Sequence, residues 1–274
     1  MSANIRENLM INRVKATDVV SYLLSNGTTA VTTEDLSRLL GVPANHVRQR
    51  LAPLLKRGEM VSPARGLWIP VPYEYRSLGA PEATYYIDRM MKHLSVNYYL
   101  GWMTAAAILG ASHHAAQVTQ VATSKAVENR MIGRSELRFY CRKNVGLLPT
   151  FRIMMQTGYV NVSTRAATML SVANNLSLVA GLDNAANIII ELSETEEAFI
   201  DEAVACADLF PISTVRRLGW ILENFTDTAG LEQLFEISNK SDVALSKLSM
   251  HRAYSNRIDR TWSLDINDRI EPDV

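Results

Sequence analysis

Glycines at 27, 41 and 58 cut the first sixty residues into three short segments, and this punctuation constrains the fold more than any other feature of the chain. Glycine tolerates the left-handed conformation in which a helix stops. Each segment carries apolar residues at helical spacing. Over 14–24 these include Val19, Val20, Leu23 and Leu24. A second helix is predicted from Glu34 to Leu40, entered through Thr32 and Thr33 and followed at once by Glu34 and Asp35. A hydroxyl there accepts from free backbone N–H groups, and acids suit the positive helix end. A third runs from Pro43, which fits a first helical turn, to about Arg57, with Val47, Leu51, Leu54 and Leu55 inward. Pro53 within it predicts a bend or an early end. Beyond Gly58, Met60-Val61, a turn at 62–66 and Leu67-Trp68-Ile69 read as a short hairpin.

Three short helices and a hairpin are the order of a winged helix-turn-helix, which places its second paired helix in the DNA major groove. The outward face of the third helix then offers Asn45, His46, Arg48, Gln49 and Arg50. Arg reads guanine, and Asn or Gln reads adenine. Lys56 and Arg57 would add backbone contacts, and Arg65 would sit at the wing tip near a phosphate or the minor groove. His46 reads as a phosphate or water contact, because no second ligand stands at zinc spacing. The competing reading is a small helical module that uses the same fold for protein contact.

Pro70, Pro72, Gly79 and Pro81 punctuate residues 70–82, which read as a linker between a winged-helix domain over 1–76 and a second domain over 83–274. In the second domain helices are predicted over 84–91 and 98–109. Strands are predicted over 117–123, 136–142, 151–155 and 159–162. A helix over 165–174 follows, capped by Ser163 or Thr164, then helices over 184–192, 195–207, 212–224 and 230–238. From Ser249 the periodicity fades, so the end is either an ordered tail or a frayed one. The fold class is α+β: a winged helix-turn-helix, then a mixed domain with a small sheet and a largely helical end.

The formal net charge of zero hides an asymmetry. Residues 1–76 hold 10 Lys/Arg against 6 Asp/Glu, residues 77–174 hold 10 against 4, and residues 175–274 hold 8 against 18. A basic front two-thirds points to a polyanion partner. Within it Lys125, Arg130, Arg134, Arg138, Arg142, Lys143 and Arg152 form a second basic group. One reading makes it a binding face for DNA or an acidic partner; the other makes it a solvated sheet face. The acidic back third has its own ordinary reading, as solvated surface helices.

No catalytic signature of the phosphate-loop, dinucleotide, nucleophile-elbow or zinc-protease kind is present. His113 and His114 are adjacent, diverge on any regular element and lack a third ligand. Cys141 has Arg138, Arg142 and Lys143 nearby but no base at a nucleophile's spacing, so it reads as a core thiol; Cys206 reads the same way. The carboxylates Glu191, Glu194, Glu196, Glu197, Asp201 and Glu202 are explained by helix starts and solvation without a metal. No cofactor and no metal are expected. Apolar runs such as Trp102–Gly110 fall far short of the roughly 20 residues of a membrane span. No apolar stretch follows a basic start, so the expected location is the cytoplasm.

The run Leu100-Gly101-Trp102-Met103-Thr104 through His113-His114, then Gln117–Thr123, Thr157–Thr164 and Gly181–Asn184, resembles the AbiEi antitoxin family. The resemblance spans about residues 10–225. These are the antitoxins and autoregulators of abortive-infection toxin–antitoxin pairs. The chain departs from the family pattern at Arg165-Ala166-Ala167-Thr168, where an acid usually follows the Ser-Thr. The resemblance implies a non-enzymatic protein whose winged helix represses its own operon through inverted repeats in double-stranded DNA. It also implies a C-terminal domain that joins in cooperative DNA binding and counters, directly or indirectly, a nucleotidyltransferase-like toxin encoded alongside. A monomer in solution is compatible with this. Two alternatives come from other classes. One is a nucleic-acid-processing enzyme using the clustered carboxylates and a divalent metal; the other is a transcription regulator that senses a small molecule.

Overall fold

The computed structural model describes residues 13–111, 118–194, 199–239 and 244–272. Near the N-terminus, helix Val19–Ser25 and strand β1 (Val31–Thr32) are followed by helices Thr33–Leu40 and Ala44–Lys56 and then by strands β2 (Met60–Ala64) and β3 (Leu67–Pro70). The strands form an antiparallel sheet in the order β1-β3-β2. Gly27, Gly41 and Gly58 have φ of 64°, 64° and 66°, so each helix ends at its glycine in the left-handed region. Thr32 Oγ1 accepts from the Asp35 amide at 3.1 Å and donates to the Asp35 carboxylate at 2.8 Å, closing the cap of the second helix. Val20, Leu23, Leu36, Leu39, Val47, Leu51 and Trp68 share one apolar cluster. Pro53 does not end the third helix, which continues to Lys56. One turn from the C-terminus, the missing N–H costs a single helical hydrogen bond.

Residues 98–163 build a mixed six-stranded sheet, larger than the sequence predicts. Its strands are β4 (Tyr98–Leu100), β5 (Val118–Thr123), β6 (Arg130–Ile132), β7 (Ser135–Cys141), β8 (Thr150–Met155) and β9 (Gly158–Ser163). Their order is β6-β7-β5-β4-β9-β8, with β5–β7 and β4–β9 parallel and the other pairs antiparallel. Two strands, β6 and β4, are not predicted, and β4 comes from the predicted helix 98–109. Tyr98–Leu100 is extended, Gly101 stays extended (φ −133°, ψ −178°), and only Trp102–Ile108 is helical. Tyr98, Tyr99 and Leu100 are all buried because the strand is central and covered on both faces. A strand covered on both faces reads as an unbroken apolar run, which periodicity does not separate from a helix.

One face of the sheet, including Leu100, Val121, Leu137 and Phe139, packs against helix Ile87–Leu94 and the hairpin β2–β3. The other face, including Tyr99 and Ala122, packs against Trp102–Ile108 and a helical lobe: Arg165–Asn174, Leu182–Ser193, Ile200–Cys206, Ile212–Phe225 and Glu232–Asn239. Thr164 occupies the N-cap of Arg165–Asn174 without a side-chain capping bond, contrary to the capping role predicted for it or Ser163. Ser163 Oγ instead bonds Thr168 Oγ1 at 2.7 Å.

The C-terminal segment is ordered. Strands β10 (Ser246–Lys247), β11 (Ile258–Asp259) and β12 (Leu264–Asp265) form a small sheet against helix Ile212–Phe225. Trp262 lies on Gly219 so closely that a Cβ there would meet its ring at 2.1 Å, and its indole N–H donates to Glu223 at 2.7 Å. Arg216 and Arg217, adjacent on that helix, are almost fully buried. Arg216 donates to the carbonyls of Ser238 and Ala244 and to Ser246 Oγ, at 3.2, 3.0 and 3.0 Å. Arg217 donates to those of Leu248, Ala173 and Lys247, at 2.6, 2.5 and 3.0 Å. Burial lowers the pKa of Arg217 to about 10. No helix of the described residues is long and apolar enough to cross a membrane.

Candidate nucleic-acid interface

Helix Ala44–Lys56 turns Val47, Leu51 and Leu54 inward and leaves Asn45, His46, Arg48, Gln49, Arg50 and Lys56 exposed. Among the described residues none of these six side chains makes a hydrogen bond or an ion pair with another. The turn leading into the helix is held by Ser37 Oγ donating to the Val42 carbonyl at 2.6 Å. Arg57 differs from its neighbours. Its guanidinium meets both carboxylate oxygens of Glu59, at 2.9 and 3.3 Å, and that bond raises its pKa while lowering that of Glu59. A cation already neutralised by a neighbour has less to offer a phosphate.

The hairpin β2–β3 turns through Arg65-Gly66, with Gly66 at φ 83°. The Arg65 side chain is exposed at the tip. The turn's backbone is tied down from three sides. The Thr33 amide donates to the Gly66 carbonyl at 2.9 Å, His93 Nε2 lies 2.9 Å from the Arg65 carbonyl, and Arg130 Nη1 donates to the Pro63 carbonyl at 2.5 Å. Arg130 is itself seated, with its guanidinium 5.8 Å from the Phe139 ring centre and Nε donating to the Glu128 carbonyl. It therefore braces the hairpin from the six-stranded sheet. Residues 70–82, predicted to be a linker, are packed against the same sheet. Tyr73–Leu78 is a 3-10 helix, Tyr75 Oη donates to Gln156 at 2.9 Å, and the Arg134 amide donates to the Leu78 carbonyl at 3.0 Å. Gly133, at φ 60°, allows that approach: a Cβ there would lie 2.6 Å from the Leu78 oxygen. Ala64, Leu67 and Ile69 share a cluster with Met90, Leu100 and Leu137, so apolar packing is continuous across this stretch.

The second basic group is dispersed. Lys125 Nζ donates at 3.4 Å to the carbonyl of Ser95, the residue that ends helix Ile87–Leu94. Arg134 is exposed at the β6–β7 turn. Arg138 is paired to Glu136 at 2.8 and 3.1 Å. Arg142 and Lys143 lie at the end of β7 in a cleft. Arg152 sits on β8 with its guanidinium 4.7 Å from the Tyr159 ring centre. Three strands separate β7 from β8, about 19 Å at the usual strand spacing, so Arg138 and Arg152 do not share a patch.

Other chemistry is sparse. Cys141 is exposed, not in the core as the sequence predicts, because its place at the strand end leaves it uncovered; Cys206 is buried, and burial raises its thiol pKa to about 11. His113, His114, Glu196 and Glu197 lie outside the described residues. Among the described residues no three His, Cys, Asp or Glu side chains gather as a metal site.

The fold and this surface define an α+β protein in which an exposed, unpaired polar and basic helix face and a braced hairpin are joined to a mixed sheet backed by helices. Residues 99–224 match the family model of the AbiEi antitoxin C-terminal domain. The match gives the chain a region similar to the AbiEi antitoxin C-terminal domain, which supports an antitoxin role in a toxin–antitoxin system. Among solved structures it is similar to the crystal structure of the RV2827C protein from Mycobacterium tuberculosis, at 14% identity, a TM-score of 0.65 and 92% coverage of each chain. At that identity the likeness concerns the fold. No curated protein matches the chain significantly.

Proposed function

We propose that the protein is a cytoplasmic antitoxin and transcriptional autorepressor. Residues 13–70 act as a winged helix-turn-helix on double-stranded DNA, reading inverted repeats in the protein's own promoter. The protein counteracts a cognate nucleotidyltransferase-like toxin. The observation that carries the DNA-binding part is the outward row on helix Ala44–Lys56. Asn45, Arg48, Gln49 and Arg50 are exposed and have no partner among the described residues, although Arg57 beside them has one. Base-reading side chains must be free and outward to reach the major-groove edges. Lys56 and Arg65 supply phosphate contacts. The antitoxin part rests on the family match over 99–224.

The test is fluorescence anisotropy with a labelled duplex from the region upstream of the coding sequence. Arg48→Ala and Gln49→Ala are each expected to cost about 1–3 kcal/mol on the specific duplex and much less on a scrambled one. Equal weakening on both duplexes would refute base reading by this helix. Co-expression with the neighbouring toxin tests the antitoxin half, and unchanged toxicity would refute it.

A further inference from the structure

The cleft at the end of β7 has a volume of about 940 Å³ and opens between that strand end and the turn after helix Arg165–Asn174. Its lining combines two cations, Arg142 and Lys143, with the amide side chain of Asn144 and an apolar wall of Leu209 and Pro211. Asp208 is the one carboxylate among the lining residues. Arg142 has unusual surroundings for a cation. Its guanidinium stands 4.8 Å from the ring centre of the buried Trp102, and Nη2 donates to Asn175 Oδ1. Trp102 Nε1 and Asn174 Nδ2 donate to that same oxygen, at 3.4 and 3.2 Å. The Arg142 side chain is therefore held in one place by an aromatic face and a shared amide acceptor. Among the described residues it makes no ion pair, and one of its several N–H donors is used. Partial burial lowers its pKa, the mark of a charge removed from water without an anion beside it. Lys143, next in sequence, is exposed and makes no side-chain bond among the described residues.

A preorganised, half-buried guanidinium without an anionic partner, next to a free ammonium, is what a phosphate group recognises. The cleft's volume lies in the range of small-ligand sites. The apolar wall fits the body of an organic ligand, and Asp208 can accept from a ligand hydroxyl. We propose that this cleft binds a small hydroxyl-bearing organic phosphate of nucleotide size, with the phosphate on Arg142 and Lys143. The site is separate from the helix Ala44–Lys56 and does not depend on the DNA-binding reading.

The test is isothermal titration of the full chain with AMP, ATP and inorganic phosphate at moderate salt. The proposal expects one saturable site for at least one nucleotide, tighter than for inorganic phosphate. Lys143→Gln, at an exposed position, should weaken it roughly two- to fivefold, the scale of an exposed charge contact. Arg142→Gln should weaken it about tenfold or more, as loss of charged hydrogen bonds does. Arg152→Gln, on the far sheet edge, should leave it unchanged. Thermal melting of each variant checks that it is folded, and Lys143→Gln carries the test should Arg142→Gln not fold. Absence of saturable binding at millimolar ligand would overturn the proposal. So would binding that ignores Lys143→Gln, or binding equally sensitive to Arg152→Gln.

Discussion

Arg48 and Arg57 are nine residues apart and carry the same charge, yet they stand in different chemical states. Arg48 is exposed with no partner among the described residues, while Arg57 is held bidentately by Glu59. Arg57→Ala is therefore expected to leave DNA affinity nearly unchanged, whereas Arg48→Ala should cost about 1–3 kcal/mol, measured by anisotropy on one duplex. The sequence places both on the basic side of a helix but carries no sign that Glu59 turns back on Arg57. The two cysteines also diverge. An alkylating reagent should modify Cys141 in the native protein and reach Cys206 only on unfolding, as mass spectrometry of the labelled chain would show. Burial, and secondarily Glu202, raise the Cys206 thiol from its ordinary value near 9 to about 11. A raised thiol contributes stability that is complete below the unfolded value and lost as pH rises. The difference in melting temperature between the native protein and Cys206→Ala should therefore shrink between about pH 9 and pH 11.

At the scale of elements, the three helices and the hairpin were legible because glycine stops, the threonine cap and apolar spacing are local signals. Tyr98–Leu100 was not legible. Its central place comes from β5 and β9, of which the nearer starts eighteen residues further along the chain, and its burial from layers on both faces that include the hairpin β2–β3 and the helical lobe. The brace on the hairpin was also hidden: Arg130 looks like one more surface cation until the Pro63 carbonyl, 67 residues away, is placed against it. Arg130→Ala should free the turn. Hydrogen exchange at residues 64–67 is expected to speed up while that of helix Ala44–Lys56 holds. Unchanged exchange in the hairpin would show that the brace is not needed. Gly133→Ala should destabilise by about 1–3 kcal/mol in urea, since it combines a left-handed φ with a backbone clash at Leu78.

For the whole molecule, the C-terminal lobe depends on two buried arginines that donate to backbone carbonyls. Their acceptors include the carbonyls of Ser238, Ala244, Lys247 and Leu248, 22 to 31 residues further along the chain, a pairing that no local signal in the sequence marks. Arg217→Ala would leave three carbonyls short of a donor and open a void. A loss of about 3 kcal/mol or more is expected in urea unfolding, with Arg217→Lys recovering only part. The second basic group, read from sequence as one face, splits in space into separate tasks. Arg130 braces the hairpin, Lys125 bonds the carbonyl at the end of helix Ile87–Leu94, and Arg142 and Lys143 line a cleft. Their proximity in sequence reflected strand connectivity, not a shared surface.

On this reading the free face of helix Ala44–Lys56 reads DNA in the protein's own promoter. Anisotropy titration of that duplex across salt concentrations, with the native protein and with Arg48→Ala, tests it most directly. Affinity should fall steeply with salt, as each neutralised phosphate releases counterions, and Arg48→Ala should remove the preference for the promoter duplex. Binding that is insensitive to salt, or a preference that survives the substitution, would contradict it.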